Sequence, residues 1–251
     1  MRKSIIPGSM APALTLDAGS SSLTVAFEGS ENNPFGAISI MGSNLDLQGN
    51  VYSNAFIVIN PSIKVTADTV INSLAGTEGV ALLQSVMVSN GNPSLTVLAA
   101  NGPVDVASLG SKEFPLGNIS LTGTYVVLRG DIGSIGSIDI TSPTNEIQDV
   151  NGTITINQSL KISGSKGINL QDDLVPSTEP FNLTLQAMDG SIHVQSLGYQ
   201  TNPLKDVSLI AGKEVTVANS ITTTGLLTIT NGEGTTTCGQ GTYPPCNSQF
   251  Q

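Results

Sequence analysis

Residues 95 to 121 read LTVLAANGPVDVASLGSKEFPLGNISL and contain three apolar, polar, apolar triplets: Leu95-Thr96-Val97, Val104-Asp105-Val106 and Ile119-Ser120-Leu121. In an extended chain successive side chains point to opposite sides. Each triplet therefore turns its two aliphatics to one face and its middle residue to the other. Asn101-Gly102, between the first two triplets, is the kind of step expected to turn a corner, glycine being free to take a positive φ where a tight change of direction needs one. The stretch predicts short, one-sided strands joined by sharp corners.

The pattern fills the chain. Eighteen such triplets run from Leu14-Thr15-Leu16 to Leu227-Thr228-Ile229. Leu95 and Val104 are nine residues apart, and Val104 and Ile119 fifteen. The same two intervals separate Leu14, Leu23 and Ile38, and again Leu183, Ile192 and Val207, so a step of 24 recurs. Ile192 to Val215 (23) and Val207 to Leu227 (20) come close to it. A coil of two or three strands per turn produces such intervals. No long window keeps helical apolar spacing. A β-sandwich also has strands every 8 to 12 residues, but its strands are longer and its core holds a large aromatic, whereas Trp is absent here.

The expectation is an all-β parallel β-helix of about nine to eleven coils, on the order of 50 Å long at roughly 4.8 Å per coil. Residues 1–13 read as a leader or cap, 14–230 as the β-helix and 231–251 as a Gly/Thr/Pro-rich cap or connector. Polar breaks at 141–150, 171–182 and 198–206 are expected to bulge from the coil as loops.

With 251 residues the chain is long enough for a sizeable core. Charged residues are 11% of it, against roughly 25% in average globular proteins. The net charge of -10 repels phosphate backbones and anionic lipid, so no nucleic-acid partner is expected. Branched aliphatics along the whole length and a mean hydropathy of +0.14 argue for a folded chain. No apolar run reaches the roughly 18 residues of a membrane helix, so membrane insertion by this segment is not expected. Met1-Arg2-Lys3 looks like the start of an export signal, but Pro7-Gly8 cuts off any apolar stretch behind it. Cys238 and Cys246 stand eight apart near the end, a spacing that allows a small disulfide loop in an oxidising compartment, the alternative being two free thiols.

The stretches Gly117-Asn-Ile-Ser-Leu-Thr-Gly123, Gly152-Thr-Ile-Thr-Ile-Asn157 and Leu209-Ile-Ala-Gly-Lys-Glu-Val-Thr-Val-Ala-Asn219 resemble repeats of the filamentous-haemagglutinin type. The resemblance covers most of residues 14 to 232. It extends to the passengers of autotransporters and implies a right-handed β-helix, secreted or held at a bacterial cell surface. The implied role is an adhesin shaft presenting loops to a host-cell or surface receptor or glycan.

Few constellations point to chemistry. Arg129-Gly130-Asp131 resembles an integrin-recognition tripeptide, and the competing expectation is a corner between coils with Gly130 at the bend. Asp172-Asp173 is the sole adjacent acidic pair and reads as solvated loop acids, without the His and Arg/Lys motifs that β-helical polysaccharide hydrolases place beside such acids. His193 stands mid-triplet and is expected to face outward without a catalytic partner. A Thr array at mid-triplet positions is interrupted by Asp, Lys, Asn and His, which counts against ice binding. No metal site or cofactor is expected, and the chain reads as non-enzymatic. The alternative is a pectinase- or lyase-like carbohydrate-active β-helix, which a groove of clustered Asp and Lys beside 171–182 would favour.

Overall fold

A computed structural model describes residues 4–8, 10–27, 29–111, 113–141, 153–156, 158–165, 167–232 and 236–238. Among them there is no helix, and every pairing between named strands is parallel. The chain winds as a β-solenoid of about nine turns with three faces. One turn shows the plan: Val80–Leu82 lies on the first face, Val86–Val88 on the second and Leu95–Ala99 on the third. The next turn begins at Val104–Val106, stacked on Val80–Leu82 with Val104 beside Val80.

All eighteen triplets lie in strands. The intervals that predicted the coil are distances between stacked partners: Leu14 pairs with Ile38, Leu95 with Ile119, Leu183 with Val207, Ile192 with Val215 and Val207 with Leu227. None of the eighteen middle residues is buried, and the outer aliphatics are buried except Leu14, Leu16, Leu23 and Ile229 near the ends, which are half-buried. On the third face Ile71, Val97, Leu121, Ile140, Leu170, Val194 and Val217 form one column, each beside the next. Such columns merge into a single continuous aliphatic core. Phe27 and Phe35 meet edge to face near its start, with ring centroids 5.8 Å apart.

Corners are tied from one turn to the next by Asn and Asp side chains. Oδ1 of Asn50 accepts the Val70 N–H, that of Asp68 the Ser94 N–H, that of Asp131 the Lys161 N–H and that of Asp206 the Leu226 N–H, each at 2.8 Å. Short polar side chains suit this role because they reach a backbone donor one turn away without leaving the corner.

The expected loop at 171–182 is corrected. Asp173–Pro176 is a strand of the first face, paired with Thr153–Ile156, and Leu174 is fully buried in the core. Its pattern Asp-Leu-Val-Pro does not match the triplet, although Leu174 and Pro176 point inward as a triplet's ends would. Residues 198–206 do bulge, as described below. Residues 142–150 lie outside the described residues.

Candidate functional site

Three loops of the same length interrupt the faces. Each follows the pattern Gly-x4-Pro-apolar: Gly29 to Phe35, Gly110 to Leu116 and Gly198 to Leu204. The chain rejoins the stack through Phe35 beside Ser53 on the third face, Leu116 beside Ser134 on the second and Leu204 beside Thr223 on the first. In every case the hydroxyl of that Ser or Thr donates to a carbonyl of the returning chain: Gly36, Gly117 and Lys205 respectively. The same hydroxyls accept the N–H of Ala55, Gly136 and Gly225.

The loops differ in how their tips are held. Asn33 donates its side-chain amide to the Pro7 carbonyl at 3.1 Å, and Asn202 does the same to Pro176. The equivalent residue of the middle loop is Phe114, which has no side-chain donor. Its ring stands 59% exposed and walls a groove of about 840 Å³ on the second face. Met87, Ile135 and Met188 are the other exposed apolar side chains of the lining, at 44%, 43% and 58% exposure. Glycine shapes the site at two points. Gly110 has φ of 63°, and a Cβ there would lie 2.4 Å from the Gly133 carbonyl oxygen. A Cβ on Gly133 would in turn lie 2.9 Å from the Ser111 backbone, so the loop settles close onto the strand beneath it.

Asp131 and Lys161 stand at the rim of this groove. Asp131 is the third residue of the Arg-Gly-Asp tripeptide, and every member of that tripeptide has a place in the stack. Arg129 makes a two-pronged contact with Asp105 one turn earlier, Nε to Oδ1 at 2.6 Å and Nη2 to Oδ2 at 2.5 Å. Asp105 holds the guanidinium above its ordinary pKa, against a smaller opposing effect of burial. Gly130 is buried, and a Cβ would lie 2.4 Å from Ser108 Oγ. Asp131 ties the next turn through Lys161. Residues 36–59 and 117–140 align without a gap, with nine of 24 positions identical, and Gln48-Gly49-Asn50 occupies the earlier copy of the tripeptide. Asn50 makes there the same inter-turn bond as Asp131.

The Asp172-Asp173 pair is not solvated. The two are 7% and 3% exposed, on the first face. Asp173 Oδ2 accepts the hydroxyl of Tyr199, from the third Gly-x4-Pro loop, and Oδ1 is buried without a partner. Burial of the phenol, reinforced by Asp173, pushes Tyr199 above its ordinary range. His193 faces outward as expected, in a shallow hollow of the third face with Nε2 3.7 Å from Glu214 Oε1. In the same hollow Asn169 donates to Asp139 at 3.1 Å. Among the described residues no group of three or more His, Cys, Asp or Glu is placed to hold a metal ion. Nor, among them, is any helix long and apolar enough to cross a membrane. Cys246 lies outside the described residues, and for Cys238 only the backbone is described, in the strand Thr236–Cys238 on the third face.

Sequence reasoning missed the groove. Its four exposed apolar side chains lie up to 101 positions apart, from Met87 to Met188, and only the stacking of turns brings them together. A signal was nonetheless present, since the thrice-repeated Gly-x4-Pro-apolar spacing marks where the stack is interrupted. The chain matches no protein-family model, no curated protein and no solved structure.

Proposed function

We propose that this protein is a non-enzymatic β-solenoid shaft of a secreted or cell-surface adhesin. In this role the stacked turns provide a stiff scaffold, and the interrupted second face presents the surface that meets a receptor or glycan. The observation that carries the proposal is the arrangement of side chains around the solenoid. The interior is one aliphatic column after another, while the acids other than the buried Asp172-Asp173 pair are spread over different faces: Asp105 on the first, Asp131 on the second and Asp139 on the third. Acid and base groups that act together on one bond must converge within hydrogen-bond reach of it. Dispersed acids suit a scaffold, because each then serves a neighbouring turn.

The test is adherence. Beads coated with residues 1 to 251 are expected to retain host cells or immobilised glycans, and Phe114→Ser is expected to reduce retention without altering thermal unfolding. Steady release of reducing or unsaturated sugar ends from a polysaccharide by the same preparation would overturn the proposal in favour of the carbohydrate-active alternative.

A further inference from the structure

Of the eleven large hydrophobic residues exposed among the described residues, four line the second-face groove: Met87, Phe114, Ile135 and Met188. Its volume of about 840 Å³ falls in the range of roughly 300–1,000 Å³ typical of small-molecule sites, whose walls are mostly apolar with a few placed polar groups. It is elongated. Counting along stacked partners from Val86 through Leu109, Ile132 and Ile162 to Leu185, the strand carrying Met87 and the strand that ends just before Met188 are four turns apart. Four steps of about 4.8 Å give a length on the order of 19 Å.

Set among six serines and Gln186, the exposed apolar side chains of the lining are aliphatic or thioether apart from one phenyl ring. Such side chains adapt to a flexible apolar chain, whereas a rigid planar ligand asks for facing aromatic walls. Lys161 adds a cation at the rim, and no carboxylate among the described residues lies within ion-pair distance of its ammonium group. Asp131 stands beside it, with Oδ1 committed to the Lys161 N–H. From the length, the aliphatic lining and the unpaired cation, we infer that the groove binds a linear acyl chain ending in a carboxylate, a fatty acid. The apolar chain lies along Met87, Phe114, Ile135 and Met188, and the carboxylate meets Lys161. This goes beyond the shaft proposal and stands or falls separately from it, since adherence and acyl binding are measured independently.

The experiment is calorimetric titration of the whole chain at pH 8 with octanoate, decanoate and dodecanoate, each below its micellar concentration, with 1-decanol as the uncharged comparator. Saturable binding of one equivalent is expected, tightening about two- to fourfold per added methylene, as partial to full burial of each CH₂ requires. Lys161→Gln should loosen decanoate at least threefold and leave 1-decanol unchanged. Asp131→Asn, which keeps the corner bond and removes a negative charge from the rim, should tighten decanoate about twofold. Phe114→Ser should weaken both ligands. Leu83→Ser, an exposed aliphatic on the first face, should affect neither. The inference is overturned if binding does not saturate, if chain length has no effect, or if Lys161→Gln binds decanoate as the parent does with unfolding unchanged. It is equally overturned if a Leu-rich hexapeptide saturates the groove while decanoate does not.

Discussion

Replacing Asp131 separates a structural corner from a recognition tripeptide. Its Oδ1 accepts the Lys161 N–H at 2.8 Å, and Asn50 makes the same bond in the earlier copy. Asp131→Asn keeps an acceptor in the same place, so stability should stay within about 0.5 kcal/mol of the parent. Asp131→Ala removes the acceptor. A typical intramolecular hydrogen bond contributes about 0.5–1.5 kcal/mol, and an exposed site belongs near the middle of that range, so a loss of about 1 kcal/mol is expected. For a chain of this size that lowers the unfolding midpoint by about 2–4 °C. Arg129→Gln removes the pair with Asp105, whose side chains are 48% and 21% exposed, and should cost under about 1 kcal/mol. The assay runs thermal unfolding and bead adherence on the same three variants. A corner predicts the order Asn above Ala in melting temperature and parent-like adherence in Asp131→Asn and Arg129→Gln. Adherence lost in both of those variants at an unchanged melting temperature would refute the corner and restore the recognition tripeptide.

Leu121→Ala, inside the third-face column between Val97 and Ile140 and fully buried, should lose about 2–5 kcal/mol, read as the denaturant midpoint at constant slope. Gly79→Ala should be far worse than Gly91→Ala. Both glycines have positive φ (71° and 67°), but a Cβ at Gly79 lies 1.9 Å from the Pro103 carbonyl oxygen whereas nothing lies within 4 Å at Gly91; comparative melting of the pair checks this. Tyr199 should remain a neutral phenol as pH rises past its ordinary value of about 10, so ultraviolet titration should fall one tyrosine short there, and Tyr199→Phe should remove the shortfall. Because burial, reinforced by Asp173, raises the folded-state value, the neutral phenol in its place supports the fold fully below about pH 10, and that support fades as pH climbs toward the raised value.

The triplets carried most of the fold because each encodes direction as well as strand. Leu95-Thr96-Val97 and Ile119-Ser120-Leu121 face the same way, and their 24-residue spacing is the circumference of a turn. Other strands were hidden by what stands at their inner or outer positions. Ile132-Gly133-Ser134 carries a glycine where the loop presses on it and a serine where a hydroxyl closes the corner, so its apolar signal falls to one residue. Asp173–Pro176 ends in a proline and starts with a buried acid, both of which read as loop in isolation. The acid is tolerated because a tyrosine 26 residues later returns over it, a contact made by stacking and invisible to local patterning. The groove was illegible for a related reason. Met87 at a triplet centre marks an unusual outward residue, but nothing in the order of residues places it near Met188.

The parallel ladders have a mechanical consequence. Their hydrogen bonds run along the solenoid axis, so a pull on the two ends of the chain opens them at one edge first and one turn at a time. A turn of 24 residues, such as Leu95 to Ile119, occupies about 4.8 Å of the axis when stacked and about 80 Å when drawn straight. Each peeled turn thus releases slack many times its own height at modest force, while the remaining turns keep their shape. Under load this molecule would act as a yielding tether that lengthens in steps.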